Sequence, residues 1–252
     1  MNRNIDRENR IPVILAFTGI LCFTVMCFCF KMAPGRLIGG AFCHQVASRS
    51  PHADFPFCYR CCGLFCGVFT ALLYGYFTKN SGKLFSMGKA VFFICALFLF
   101  LFDIVNTTDY IPIKLYPDDP HIRFISSFPI GFFLGSFIVP IFSLFFHSKF
   151  NRIIYKNSCK LILFFISIFL SYVLCFHLGS AGLFFVRIFT VSGSFVFVFI
   201  LYCILIKCLS QFRNRECTDK KAYLLSLFLS CLQICFLGGI HALLVRYNIW
   251  YQ

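Results

Sequence analysis

The sequence predicts an all-α fold, a polytopic transmembrane helix bundle of about seven spans with the N-terminus inside and the C-terminus outside. Three observations predict it. Hydrophobic residues make up 60% and charged residues 13% of the 252-residue chain, too apolar and too poor in charge to cover a soluble globule. Apolar runs long enough to cross a hydrocarbon core of about 30 Å recur along the chain. The basic residues fall in short segments between those runs, which is how a membrane protein fixes its orientation. The 38 phenylalanines exclude intrinsic disorder, and no heptad, collagen or solenoid period is visible. The chain reads as a single membrane domain over 1–252, with a motif-bearing half at 40–135 and additional transmembrane helices over 136–252.

The first span, 11–30, follows a basic stretch and resembles a signal peptide. A cleaved signal wants small residues in an Ala-x-Ala-like pattern, and Phe28-Cys29-Phe30-Lys31-Met32-Ala33 offers none. Gly40-Ala41-Phe42 before Cys43 is equally poor as a lipoprotein signal, so the span reads as a retained helix. The second, 61–77, carries Gly63 and Gly67, and the fourth, 126–147, carries Gly131 and Gly135. Small residues four apart on an apolar helix mark a close packing face. The third, 90–105, is short enough to be re-entrant or tilted. The fifth and sixth, 161–177 and 184–207, are separated only by His177 to Gly182, which leaves a six-span reading open. The seventh is 222–245.

Lys and Arg total 23 against nine acids, a net charge of +14. On a soluble protein that excess would suggest nucleic acid, but its placement between apolar runs makes nucleic acid the lesser partner and the lipid bilayer the main one. With the N-terminus inside, the inner segments hold fifteen of the 23, from Arg3 to Lys221, and the outer segments and span six hold the other eight.

That topology gathers the chemically interesting groups on the outer side: Cys43, His44, Arg49, Cys58, Arg60, Cys61, Asp103, Arg123, His177 and His241. Asp103 is the only acid inside an apolar run, and ionisable residues at membrane depth usually face the bundle interior for a functional reason. Its bland reading is a partner for Arg123 or Arg187 that pins two helices. Asp118, Asp119 and His121, like His52, Asp54 and Asp109, read as solvated loop residues. Most of the 16 cysteines lie within apolar runs, where Cys acts as a small hydrophobe. The informative group is Cys43-His44-Gln45 followed by Pro56-Phe57-Cys58-Tyr59-Arg60-Cys61. Cys58 and Cys61 share one face of a helical N-terminus, where the macrodipole and Arg60 favour thiolate. With Cys43 they supply three of the four ligands of a tetrahedral Zn site; His44 is a candidate fourth, but His177, His241 or Asp103 from another span fits better than the adjacent His44. A disulfide between Cys43 and one of the pair is the structural alternative. Arg49 and Arg60 could hold an anionic group, or be solvated. No nucleotide-binding loop, Gly-x-Ser-x-Gly or His-Glu-x-x-His pattern is present.

The run Cys43-His44-Gln45, Arg49-Ser50, Pro56-Phe57-Cys58-Tyr59-Arg60-Cys61 and Gly63, with Asp103 and Arg123 in matching order, resembles an uncharacterised family of prokaryotic membrane proteins, the domain-of-unknown-function family two-zero-eight-five, over roughly residues 40–135. The family pattern is close to Cys-His-Gln, Arg-Ser and Pro-x-Cys-x-Arg-Cys-x-Gly. This chain departs from it at Ile104, where glycine is usual, at Cys62, where threonine is usual, and in a longer Arg123-to-glycine spacing. The resemblance implies a bacterial inner-membrane protein with a Cys/His site and brings no known reaction.

The expected function is therefore a polytopic membrane protein whose outer-side pocket binds a metal, Zn foremost, through Cys43, Cys58, Cys61 and a His or Asp. In a catalytic version Asp103 or His44 is the general acid or base, and Arg60 and Arg123 hold an anionic, lipid-like substrate. One rival is a thiol–disulfide oxidoreductase in which Cys58 and Cys61 cycle and a quinone takes the electrons. Others are a proton-coupled transporter of a small anion through Asp103, and a purely structural subunit.

Overall fold

The computed structural model describes residues 2–29, 33–43, 51, 55–78, 87–107, 114–146, 157–213 and 217–247. These form helices α1 (Asn2–Cys29), α2 (Pro34–Phe42), α3 (Tyr59–Thr78), α4 (Met87–Thr107), α5 (Pro120–Phe145), α6 (Asn157–Phe176), α7 (Gly179–Phe212) and α8 (Asp219–Arg246), and no strand occurs among the described residues. Each of the seven apolar runs is helical. Among the described residues four helices are long and apolar enough to cross a membrane: Ile11–Cys29, Pro120–Phe145, Gly179–Phe212 and Asp219–Arg246. Tyr59–Gly75, Ala90–Asn106 and Phe164–Phe176 are shorter apolar helices.

Helix ends follow local chemistry. Asp119 caps α5 by accepting the His121 N–H at 2.7 Å, with Pro120 in the first turn where its missing donor costs nothing. Thr218 caps α8, whose first turn holds Asp219 and whose last holds Arg246, both matched to the helix dipole. Between α6 and α7 the chain turns at His177 and Leu178, and Gly179 takes φ +56°, a left-handed conformation that suits glycine. Gly182 then packs on the Leu174 carbonyl, so α6 and α7 form a tight hairpin and not one fused helix.

α3 and α5 form the closest helix pair. A Cβ at Gly63 would strike the Phe124 carbonyl, one at Gly67 the Phe128 carbonyl, and one at Gly131 the Leu64 carbonyl. At Gly135 the Val68 carbonyl would lie 2.7 Å away. Backbone meets backbone at all four positions, the glycine-mediated contact expected of this spacing. Because the contacts advance together along both helices, α3 and α5 run parallel. α1 and α8 also run parallel, with Gly19 against Phe228 and Met26 against Gly239.

The unforeseen element is α2. Only nine residues long, it starts with Pro34 and buries Leu37, Ile38, Gly39, Gly40 and Ala41 against α7 and α8. The core around it includes Leu37, Phe57, Cys58, Cys62, Cys66, Phe124, Phe128, Val186 and Ile234, all 0–1% exposed. On the outside of the bundle large apolar side chains stand exposed, such as Phe17, Phe98, Phe169 and Phe236. A soluble monomer rarely exposes so much apolar surface.

Candidate metal centre

Three thiols converge where α2 ends and α3 begins. Cys43 closes α2, its N–H bonded to the Gly39 carbonyl at 2.7 Å and its backbone turned to an extended conformation. Fourteen residues on, Phe57 is fully buried and packs edge-on against Phe65 at 5.6 Å, holding the segment that carries Cys58. Cys58 sits one residue before α3 and accepts the Cys62 N–H on its carbonyl at 2.9 Å. Its sulfur accepts the Cys61 N–H at 3.5 Å, while the Cys58 N–H points to the Cys43 sulfur at 3.3 Å. The Sγ atoms of Cys43, Cys58 and Cys61 all lie within 4.8 Å of one another. Cys43 and Cys58 are buried, and Cys61 is half-buried.

The expected activation of Cys58 by Arg60 is corrected by the geometry. The Cys58 thiol is pushed up to about 11, chiefly by its bond with the Cys43 thiol and then by burial, against the opposing bond from Cys61. The Arg60 guanidinium reaches α4. Its Nε and Nη2 donate to Asp103 Oδ2 at 2.8 and 2.6 Å, and Nη2 reaches the Asp103 carbonyl at 3.4 Å. Arg60, with a side chain 11% exposed, is therefore committed to an acid that is 1% exposed on α4.

Asp103 thus pairs with Arg60. Its other oxygen, Oδ1, accepts the Tyr116 hydroxyl at 2.9 Å. Burial and this bond hold the Tyr116 hydroxyl up at about 12, protonated at any ordinary pH. One turn along α4, buried Asn106 accepts the Leu115 N–H at 2.7 Å and the Tyr116 N–H at 3.4 Å, and donates to the Tyr116 carbonyl at 3.0 Å. Asn106 and Tyr116 were not singled out from the sequence. A polar residue one helical turn from Asp103 in the same apolar run was the available signal.

Arg123 is 2% exposed and its Nε and Nη2 both engage the Asp118 carboxylate. Arg187 lies over the Phe55 ring at 5.6 Å. Asp118, Asp119 and His121, expected to be solvated, are all engaged. Asp119 is the α5 cap, and His121 packs on Phe176 at 4.2 Å and shares a 3.0 Å bond between its Nδ1 and the Tyr172 hydroxyl.

Of the candidate fourth ligands, His44 lies outside the described residues, as does Arg49. His177 is exposed, its ring 5.6 Å from Tyr172. His241, on α8, lays its ring over Gly40, where a Cβ would come within 2.8 Å of Cδ2. Gly40 is three residues before Cys43, so His241 stands one turn of α2 from the first thiol. Among the described residues no His, Asp or Glu joins the three sulfurs in one group.

No curated protein and no solved structure matches this chain. Residues 43–137, which contain Cys43, Cys58, Cys61, Arg60, Asp103 and Arg123, match a family model described as predicted membrane protein (DUF2085), the family its motifs resemble.

Proposed function

We propose that this chain is a polytopic bacterial inner-membrane protein with an extracytoplasmic metal centre, in which Cys43, Cys58 and Cys61 hold a Zn-type ion as thiolates and His241 or His44 supplies the fourth ligand. The observation that carries the reading is the convergence of three cysteine sulfurs within 4.8 Å. Two of those sulfurs also accept backbone N–H groups, which suits thiolate charge held on a metal. Zn–S bonds of about 2.3 Å fit three sulfurs brought this close.

The same centre supports two uses. As a Lewis acid it would activate water or a carbonyl of an anionic, lipid-like substrate at the outer leaflet, with His44, Asp103, Arg60 and Arg123 as the candidate partners. As a structural centre it would join α2 to α3. The bonds of Asp103 to Arg60 and Tyr116, and of Arg123 to Asp118, favour the structural use of those groups. The thiol–disulfide alternative needs an attacking thiolate, and the raised Cys58 thiol weighs against it.

The test is metal content. Protein purified in detergent without chelator is expected to contain near-stoichiometric zinc by inductively coupled plasma mass spectrometry, and Cys58→Ser to have lost it. Metal-free protein with two fewer free thiols than the sequence holds would replace the metal centre with a disulfide.

A further inference from the structure

We propose that Arg60 and Asp103 are positioning residues of the metal centre, with Tyr116 as their support; the inference rests on the metal reading of Cys43, Cys58 and Cys61. Arg60 is the residue immediately before Cys61 and two after Cys58, so its backbone is part of the turn that sets the spacing of both thiols. Its guanidinium leaves that turn and is fixed on another helix by two bonds to one carboxylate oxygen and a third to the Asp103 carbonyl. The carboxylate is held in turn by the Tyr116 hydroxyl, and Asn106 holds Tyr116 through two backbone bonds and its neighbour Leu115 through a third.

A metal tolerates errors of only about 0.2 Å in ligand distance, so the position of the Cys58–Cys61 turn matters more to it than to the fold. Arg60 and Asp103 tie one side of that turn to α4, and the Cys58 N–H bond to the Cys43 sulfur ties the other side to α2. With Asp103 buried and Arg60 only 11% exposed, removal of one member is costly, since the remaining charge would be left without its counter-ion. The two groups are bonded to each other. Their action is through backbone position, in the way outer-shell partners tune other metal sites.

The experiment compares zinc affinity, by competition with a chromogenic chelator, and the Co(II) thiolate charge-transfer spectrum of purified full-length variants. Asp103→Asn keeps the side-chain shape and removes the charge. It is expected to weaken zinc roughly 10- to 100-fold and to alter the Co(II) spectrum at temperatures where the protein remains folded. The reversed pair Arg60→Asp with Asp103→Arg is expected to recover part of the loss. Unchanged affinity and an unchanged spectrum in folded Asp103→Asn would overturn the inference, because a merely stabilising pair would move only the unfolding temperature. If Asp103→Asn does not fold, Tyr116→Phe decides: weaker zinc binding supports the positioning role, and wild-type binding overturns it. Wild-type protein that takes up no zinc, or Cys58→Ser that keeps it, sinks the metal reading itself, a separate result from a failure at Asp103.

Discussion

At the scale of single residues, the three thiols behave as ligands that must surrender protons. The Cys58 thiol, raised to about 11 from an ordinary 9.0, keeps its proton across the physiological range until something replaces it. Metal binding is therefore coupled to proton release, and lowering the pH shifts the exchange against the metal. Apparent zinc affinity is expected to rise steadily between about pH 6 and pH 8, with protons released on binding, as measured by calorimetry in buffers of different ionisation enthalpy. Affinity independent of pH would mean that thiols are not the ligands. The convergence of Cys43, Cys58 and Cys61 was legible because two of the three sit one helical turn apart and the third ends a Cys-His step. The partner of Asp103 was not. Membrane burial of an acid announces that a cation will be nearby, but sequence order does not say which of Arg60, Arg123 and Arg187 reaches it. The same blindness hid Asp118, whose exposed loop position gave no sign of a buried arginine five residues on.

At the scale of helices, the glycine spacing read on spans two and four corresponds to the backbone contact of α3 and α5. The substitution Gly131→Ala drives a methyl group onto the Leu64 carbonyl, a backbone atom that cannot swing away. It should cost about 1–3 kcal/mol, the usual penalty of overpacking, and lower the thermal midpoint measured in detergent. Gly35→Ala is the matched control. Its added methyl meets only the Val191 side chain at 3.5 Å, an ordinary contact, and alanine is the better helix former. Its midpoint should be unchanged or higher, and an equal loss at both sites would show that glycine is kept for reasons other than the α3–α5 approach. α2 escaped detection for a physical reason. Nine residues carry too little apolar length to register as a span, and Pro34 with three glycines reads locally as loop. Only packing against α7 and α8 makes it a helix, and that packing is what brings Cys43 to Cys58.

At the scale of the whole molecule, helix direction constrains topology more tightly than charge does. α1 and α8 run parallel, and so do α3 and α5, while α6 and α7 fold back as a hairpin. If α2 does not cross, the remaining helices make seven crossings in alternating directions, and the first and seventh then point the same way, as do the second and fourth. Fusing α6 with α7 would give six crossings and turn α8 against α1, contrary to their contacts. Seven crossings would put the two ends of the chain on opposite faces, and the distribution of Lys and Arg favours an inside N-terminus. An alkaline phosphatase reporter, active only outside the cytoplasm, is accordingly expected to be active when fused after Tyr247 and inactive after Arg213. Fusion after Thr78 should be inactive and fusion after Thr107 active, which places Cys58, Cys61 and Asp103 at the outer ends of α3 and α4. Activity after Arg213 combined with silence after Tyr247 would invert the bundle and move the thiols to the reducing side. There a three-cysteine cluster would remain chemically competent to bind metal, but access from the outer leaflet, and with it the lipid-like substrate reading, would be lost.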